Sequence, residues 1–240
     1  MSEEQKYDQQ AEVRLFGNSK FGKWFDNFWY HYKVHTICVV FLLVVVLICV
    51  VQCASRPGIP DAYLCYAGRQ DLYSTSKNTI ARDMETTFTT EVGAALSTEE
   101  AQVTLFHYLI NTESGDPATN NFALSNIETL KSQLDVAGSY LFLLDESLYN
   151  VYTRTSGGAC YMTEVAPYLR DGSHVELTPD GRGVYLRSTA LYQLPGFSSL
   201  PEDTVLCLRV SFTMSSAMSA SKQKEFYAQQ EAIFTHLINQ

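Results

Sequence analysis

The residues best suited to chemistry in this chain are five histidines, six cysteines and one pair of neighbouring carboxylates. A metal site read from sequence needs ligands at fixed spacing. His31 and His35 flank a long apolar run, while His107, His174 and His236 lie far apart. None of those three sits in an H-x-x-x-H or H-E-x-x-H pattern, so metal binding would need convergence in three dimensions, and neither a metal nor a cofactor is expected. Cys160 follows Gly157 and Gly158 in TSGGACYM, a setting in which a nucleophile could be presented, but no partner histidine is visible. Ser156 lies outside a G-x-S-x-G elbow. Residues 155–158 are too short for a phosphate-cradling loop and lack its lysine. Asp145-Glu146 could serve as paired acids, but adjacent carboxylates at a strand end usually stay solvated. Nothing in this set assigns a reaction, so the chain is expected not to be an enzyme. A hydrolase would need a hidden convergence such as Cys160 with His174.

Any binding site must be positioned by the elements around it. Residues 62–67 (AYLCYA), 102–110 (QVTLFHYLI) and 139–144 (SYLFLL) are apolar runs that predict buried strands. Ile80, Met84, Phe88 and Val92 recur every four residues and predict an amphipathic helix over 78–95. Ser125-Asn126 can cap a second helix with Ile127, Leu130 and Leu134 on one face and Gly138 at its end. A turn at Pro179-Asp180-Gly181 can join 175–177 to 183–187. Residues 204–212 (TVLCLRVSF) predict a late strand, and 221–237 a closing helix with Phe226, Ile233, Phe234 and Leu237 on its apolar side. Strands alternating with helices predict an α/β domain over 61–240, with a mainly parallel mixed sheet and helices on both faces. Ligands of such sheets sit beyond the carboxyl ends of the strands, where strand order reverses. That rule places a candidate binding rim at Gly68, Arg69, Gln70, Asn111, Asp145 and Glu146, with Tyr149 as an aromatic wall.

The apolar run is unbroken from 37 to 51 and extends over 34–54 with only His35, Thr36 and Gln52 interrupting. Those residues would span about 31 Å as a helix, against a hydrocarbon core of ~30 Å. A transmembrane helix is therefore expected over 34–54, with 1–33 as a cytoplasmic tail and 55–60, rich in Pro and Gly, as a linker. A cleaved signal peptide fits less well, because the run starts late and Cys53-Ala54-Ser55 is a poor cleavage site. Lys20, Lys23 and Lys33 precede the run, and Arg56 and Arg69 follow it. This bias favours a cytoplasmic N-terminus and an extracytoplasmic C-terminal domain. Phe21, Trp24, Phe25, Phe28, Trp29 and Tyr32 fall on one helical face and predict an interfacial helix against the lipid bilayer. A formal net charge of -9 disfavours nucleic acid as a partner, and 46% hydrophobic residues favour a sizeable core over disorder.

Two resemblances follow from these residues. NFWYHYKVHTI (27–37) resembles the juxtamembrane signature of short single-pass proteins of clostridial-type Gram-positive bacteria, with His31 and Val34 in place of more usual aromatics. DAYLCYAG (61–68), NIETLKSQLDVAGSYLFLLDESLY (126–149) and DTVLCLRVSF (203–212) are together similar to type 2 extracytoplasmic solute-binding proteins. Proteins of that kind have two lobes, so the resemblance implies a domain in which one lobe is reduced or missing. It also implies a membrane-anchored module of the cell envelope that binds a small ligand, a peptide or another envelope protein. The alternative is a structural or assembly protein of the envelope with no small-molecule ligand.

Overall fold

The computed structural model describes residues 20–54, 59–74, 79–111, 117–136, 138–154, 158–211 and 219–240; the side chains of 20–27, 53–54 and 117–120 lie outside the description. The chain divides into two units, Met1–Gly58 and Ile59–Gln240.

In the first unit, α1 (Lys20–Ala54) runs for 35 residues without interruption. Its stretch Phe28–Gln52 is long and apolar enough to cross a membrane, and its apolar window is not buried. Val and Ile dominate it, yet the helix forms, as lipid would require: without water, backbone groups must satisfy one another within the segment. A helix of this length reaches about 52 Å, longer than the ~30 Å thickness of a hydrocarbon core. The aromatic flank is thus continuous with the apolar stretch and does not form a separate element. Phe28 and Tyr32 stack at 5.4 Å, one turn apart. Phe21, Trp24 and Phe25 fall where side chains are not described.

The second unit is built on a five-stranded mixed sheet ordered β2-β1-β3-β5-β4. Its strands are β1 (Ala62–Gly68), β2 (Val103–Leu109), β3 (Leu141–Asp145), β4 (Val184–Tyr185) and β5 (Thr204–Leu208). β1 pairs in parallel with β2 and β3, whereas β5 runs antiparallel to β3 and β4. Four strands therefore share a direction and β5 opposes them. The helices are α2 (Thr79–Leu96), α3 (Pro117–Val136), α4 (Glu146–Tyr152) and α5 (Ala220–Ile238).

Strand residues alternate between two cores. Leu64, Tyr66, Leu141, Leu143, Leu206 and Leu208 pack with Met84, Phe88 and Val92 of α2 and with Ile233, Phe234 and Leu237 of α5. Cys65, Ala67, Phe142, Leu144, Val205 and Cys207 pack with Ile127, Leu130 and Leu134 of α3 and with Leu148 and Tyr149 of α4. Burial on both faces explains why these strands read as continuous apolar runs. Each such large apolar side chain contributes about 1.5–3 kcal/mol on leaving water.

Some boundaries differ from expectation. α3 starts at Pro117, a residue preorganised for the first helical turn, not at Ser125. Asn126 lies inside that helix, and its Nδ2 donates to the Leu109 carbonyl at 2.8 Å. The expected hairpin around Asp180 shrinks to β4 and a single Leu177–Val184 bridge. Cys65 and Cys207 stand on the same rung, with Phe142 of β3 between them. Two strand spacings, about 9.6 Å, separate them, beyond the ~7 Å that a disulfide tolerates.

Candidate functional site

The strand order fixes where a crevice can open. From β1 the chain passes through α2 to β2 on one side, then returns through α3 to β3 on the other. α2 and α3 lie on opposite faces, so the carboxyl ends of β1 and β3 form the switch point.

Asp145, the last residue of β3, occupies this point and is only 2% exposed. Its Oδ2 accepts the Arg69 backbone N–H at 2.8 Å, and its Oδ1 takes a long contact of 3.5 Å from the Tyr66 hydroxyl. Gly68 makes this possible. A Cβ there would stand 2.3 Å from Asp145 Oδ1 and 2.5 Å from Tyr66 Oη. The carboxylate therefore lies across the end of β1, where only a residue without a side chain leaves room.

Arg69 caps this carboxylate. Its guanidinium approaches Asp145 Oδ2 at 3.6 Å and donates in bidentate fashion to Asp203, at 3.0 Å and 2.6 Å. This fork-to-carboxylate geometry is the strong form of an arginine pair. Burial raises the Asp145 carboxyl above the ordinary carboxylate range, and the N–H and guanidinium of Arg69 only partly offset it. The Tyr66 hydroxyl accepts the Gln70 N–H at 3.2 Å. His107 lies flat on the Tyr66 ring at 5.7 Å and is 3.1 Å from the Gln70 carbonyl. Burial lowers the His107 pKa, which favours the neutral ring.

Of the residues assigned to the rim from sequence, Gly68, Arg69, Gln70 and Asp145 come together here. Asn111 is half-buried just beyond β2. Glu146 opens α4 and turns to the opposite face, where it accepts the Tyr185 hydroxyl at 2.5 Å and pushes that phenol up to about 12. Tyr149 is not an open wall. Its ring is buried in the α3–α4 core, and its hydroxyl donates to Asp180 Oδ1 at 2.8 Å. Three participants were not anticipated: Tyr66, His107 and Asp203. Tyr66 precedes Gly68 by two residues and shares its face, so strand periodicity could have found it. Asp203 could not be found that way, because its place depends on β5 running against β3.

A second polar knot surrounds Asp180. Its Oδ1 accepts from Tyr149, from Thr178 Oγ1 at 2.8 Å and from the Arg182 N–H at 3.2 Å, and Arg154 lies 3.6 Å from Oδ2. Burial alone would raise this carboxyl, but the bonds from Thr178 and Tyr149 outweigh it and bring it below the ordinary range.

The remaining reactive groups do not assemble. Cys160 is half-buried, with its sulfur 3.4 Å from the Met162 N–H, and burial pushes the Cys65 and Cys207 thiols up. His174 is exposed in a polar cleft beside Arg170 and Asn239. Among the described residues no group of three or more His, Cys, Asp and Glu could hold a metal ion. No protein-family model, curated protein or solved structure matches this chain. What the fold and site define is a class: an α/β domain with a polar cluster at its switch point, preceded by an apolar helix.

Proposed function

We propose that this protein is a membrane-anchored extracytoplasmic binding module, similar to a shortened solute-binding lobe, with its ligand site at the ends of β1 and β3. The observation that carries this reading is the meeting of Gly68, Arg69 and Asp145 at the switch point, where open α/β sheets take their ligands. A buried carboxylate with a raised pKa beside a charge partner is a recurrent feature of sites that bind or react, and it supports this reading. α1 supplies the anchor in the lipid bilayer. The lysines before its apolar stretch favour a cytoplasmic N-terminus.

A scaffold or assembly role is the second reading. It is favoured by the Arg69 fork already being engaged by Asp203.

The test uses the full chain in lipid nanodiscs, melted against a panel of small solutes and peptides. A ligand at a hundredfold excess over its Kd stabilises by about 2.7 kcal/mol, a readily measured rise in Tm. The Asp145→Asn variant should lose that response. A flat profile across the panel, with a membrane protein that co-purifies and is lost on replacing Phe28 and Trp29, would favour the scaffold. Orientation is read by an impermeant thiol reagent on intact cells. A cysteine placed at Gln240 should label and one at Gln5 should not.

A further inference from the structure

We propose that the rim selects a cationic head, an ammonium or guanidinium, and that Arg69 is a displaceable internal stand-in for it. This rests on the binding reading above and names the ligand class of the same site.

Three observations converge. The first is charge: Asp145 and Asp203 are two carboxylates that share one cation, Arg69. His107 adds no charge in its favoured neutral form. An anion entering here would meet net negative charge, whereas a cation would be drawn in. The second is an orphan atom. Thr204 sits directly opposite Asp145 in the antiparallel β3–β5 pair, so both side chains project from the same face. Thr204 is 0% exposed, and its Oγ1 has no hydrogen-bond partner among the described residues. A buried hydroxyl left without a partner is unfavourable, and an ammonium offers three donors while a guanidinium offers five. A carboxylate or phosphate would bring only acceptors to a seat already built from carboxylates.

The third observation is that the seat already fits such a head. Asp203 grips the Arg69 guanidinium with two bonds, at 2.6 Å and 3.0 Å. The Arg69 side chain is 48% exposed and that of Asp203 31%, so the fork can swing into solvent. The bond from the Arg69 N–H to Asp145 belongs to the backbone and survives that swing. A ligand head that takes the guanidinium's place would then lie against Asp203 and Asp145, on the face that Thr204 shares.

The experiment titrates full-length protein in nanodiscs of zwitterionic lipid, at low salt, with methylguanidinium and n-propylamine. Acetate and methyl phosphate serve as anionic probes, and heat and Tm are both read. Wild type should bind the two cations weakly and neither anion. Removing the internal competitor in Arg69→Gln should tighten cation binding about tenfold, the scale on which one close charge pair acts. Asp203→Asn should abolish binding. Arg69→Lys, which keeps a shorter cation in place, guards against a misfolded Arg69→Gln and should bind with intermediate strength. Equal cation binding by wild type and both Arg69 variants would overturn the stand-in, and so would binding retained in Asp203→Asn. Binding of the anions alone would overturn the cationic class while leaving a ligand site at the rim. Failure of every probe, even with Arg69 replaced, would overturn both.

Discussion

Asp145 and Asp180 invite comparison because each is given the same kit. Each accepts from a tyrosine hydroxyl and from a backbone N–H, and each has an arginine at 3.6 Å. Their outcomes are opposite: the Asp145 carboxyl is raised and the Asp180 carboxyl lowered. The difference lies in donor quality and water. Asp180 is partly open and gains a third donor, Thr178 Oγ1, at 2.8 Å. Asp145 is almost sealed, its tyrosine contact stretches to 3.5 Å, and its arginine is held mainly by another carboxylate. One aspartate closes a turn, and the other is kept short of partners at a crevice. Identical residue types thus make a structural knot or a poised site, depending on how many bonds compensate for the lost hydration.

The largest test of this contrast is steric. Gly68→Ala drives a methyl into the Asp145 carboxylate and the Tyr66 hydroxyl and should destabilise by about 3 kcal/mol in urea unfolding, the upper range for overpacking. Gly181→Ala at the Asp180 turn meets nothing within 4 Å and faces only its φ of +67°, so a loss of about 1 kcal/mol is expected. Next, Asp180→Ala removes the close acceptor of the buried Tyr149 hydroxyl, while Thr178 keeps the Gly183 carbonyl at 3.2 Å, and should cost about 1–3 kcal/mol. Asp145→Asn keeps the shape, removes a poorly compensated charge and should cost under about 1 kcal/mol. If Asp145→Asn proves the more damaging of the two, the roles assigned here are reversed.

The smallest effect is in pH dependence, and its sign differs between the sites. The folded pKa of Asp145 is raised, so wild type should lose stability relative to Asp145→Asn as pH climbs from about 4 through that raised value. The folded pKa of Asp180 is lowered. Its contribution should be present above about 4 and fade as pH falls through the folded value, so wild type and Asp180→Asn converge in acid. Difference melts between pH 3 and 7, a window set by the ordinary carboxylate pKa of about 4, would read both slopes.

Much of the frame was legible in the residues. Met84, Phe88 and Val92 marked the buried face of α2, and LFLL marked the central strand β3, because burial imposes its period on the sequence. The start of α3 was hidden, since its early polar residues, Asn120 and Asn121, carry no apolar period. Part of the polar cluster was equally visible: Gly68, Arg69, Gln70 and Asp145 follow from strand ends alone. Asp203 was not, because its pairing with Arg69 spans 134 residues and depends on the direction of β5, which periodicity does not encode. Tyr149 misled for a related reason. One residue's position along a short helix decides whether a ring faces a crevice or a core.

The rung that holds Cys65, Phe142 and Cys207 has a consequence for assembly. A covalent link between those two sulfurs can form only before β3 has inserted between its neighbours, since the seated phenylalanine strand keeps them apart. Oxidant trapping during refolding would therefore time-stamp β3 insertion. Chains caught with that link would be those in which the central strand arrived late, and mature protein should be immune to the same treatment.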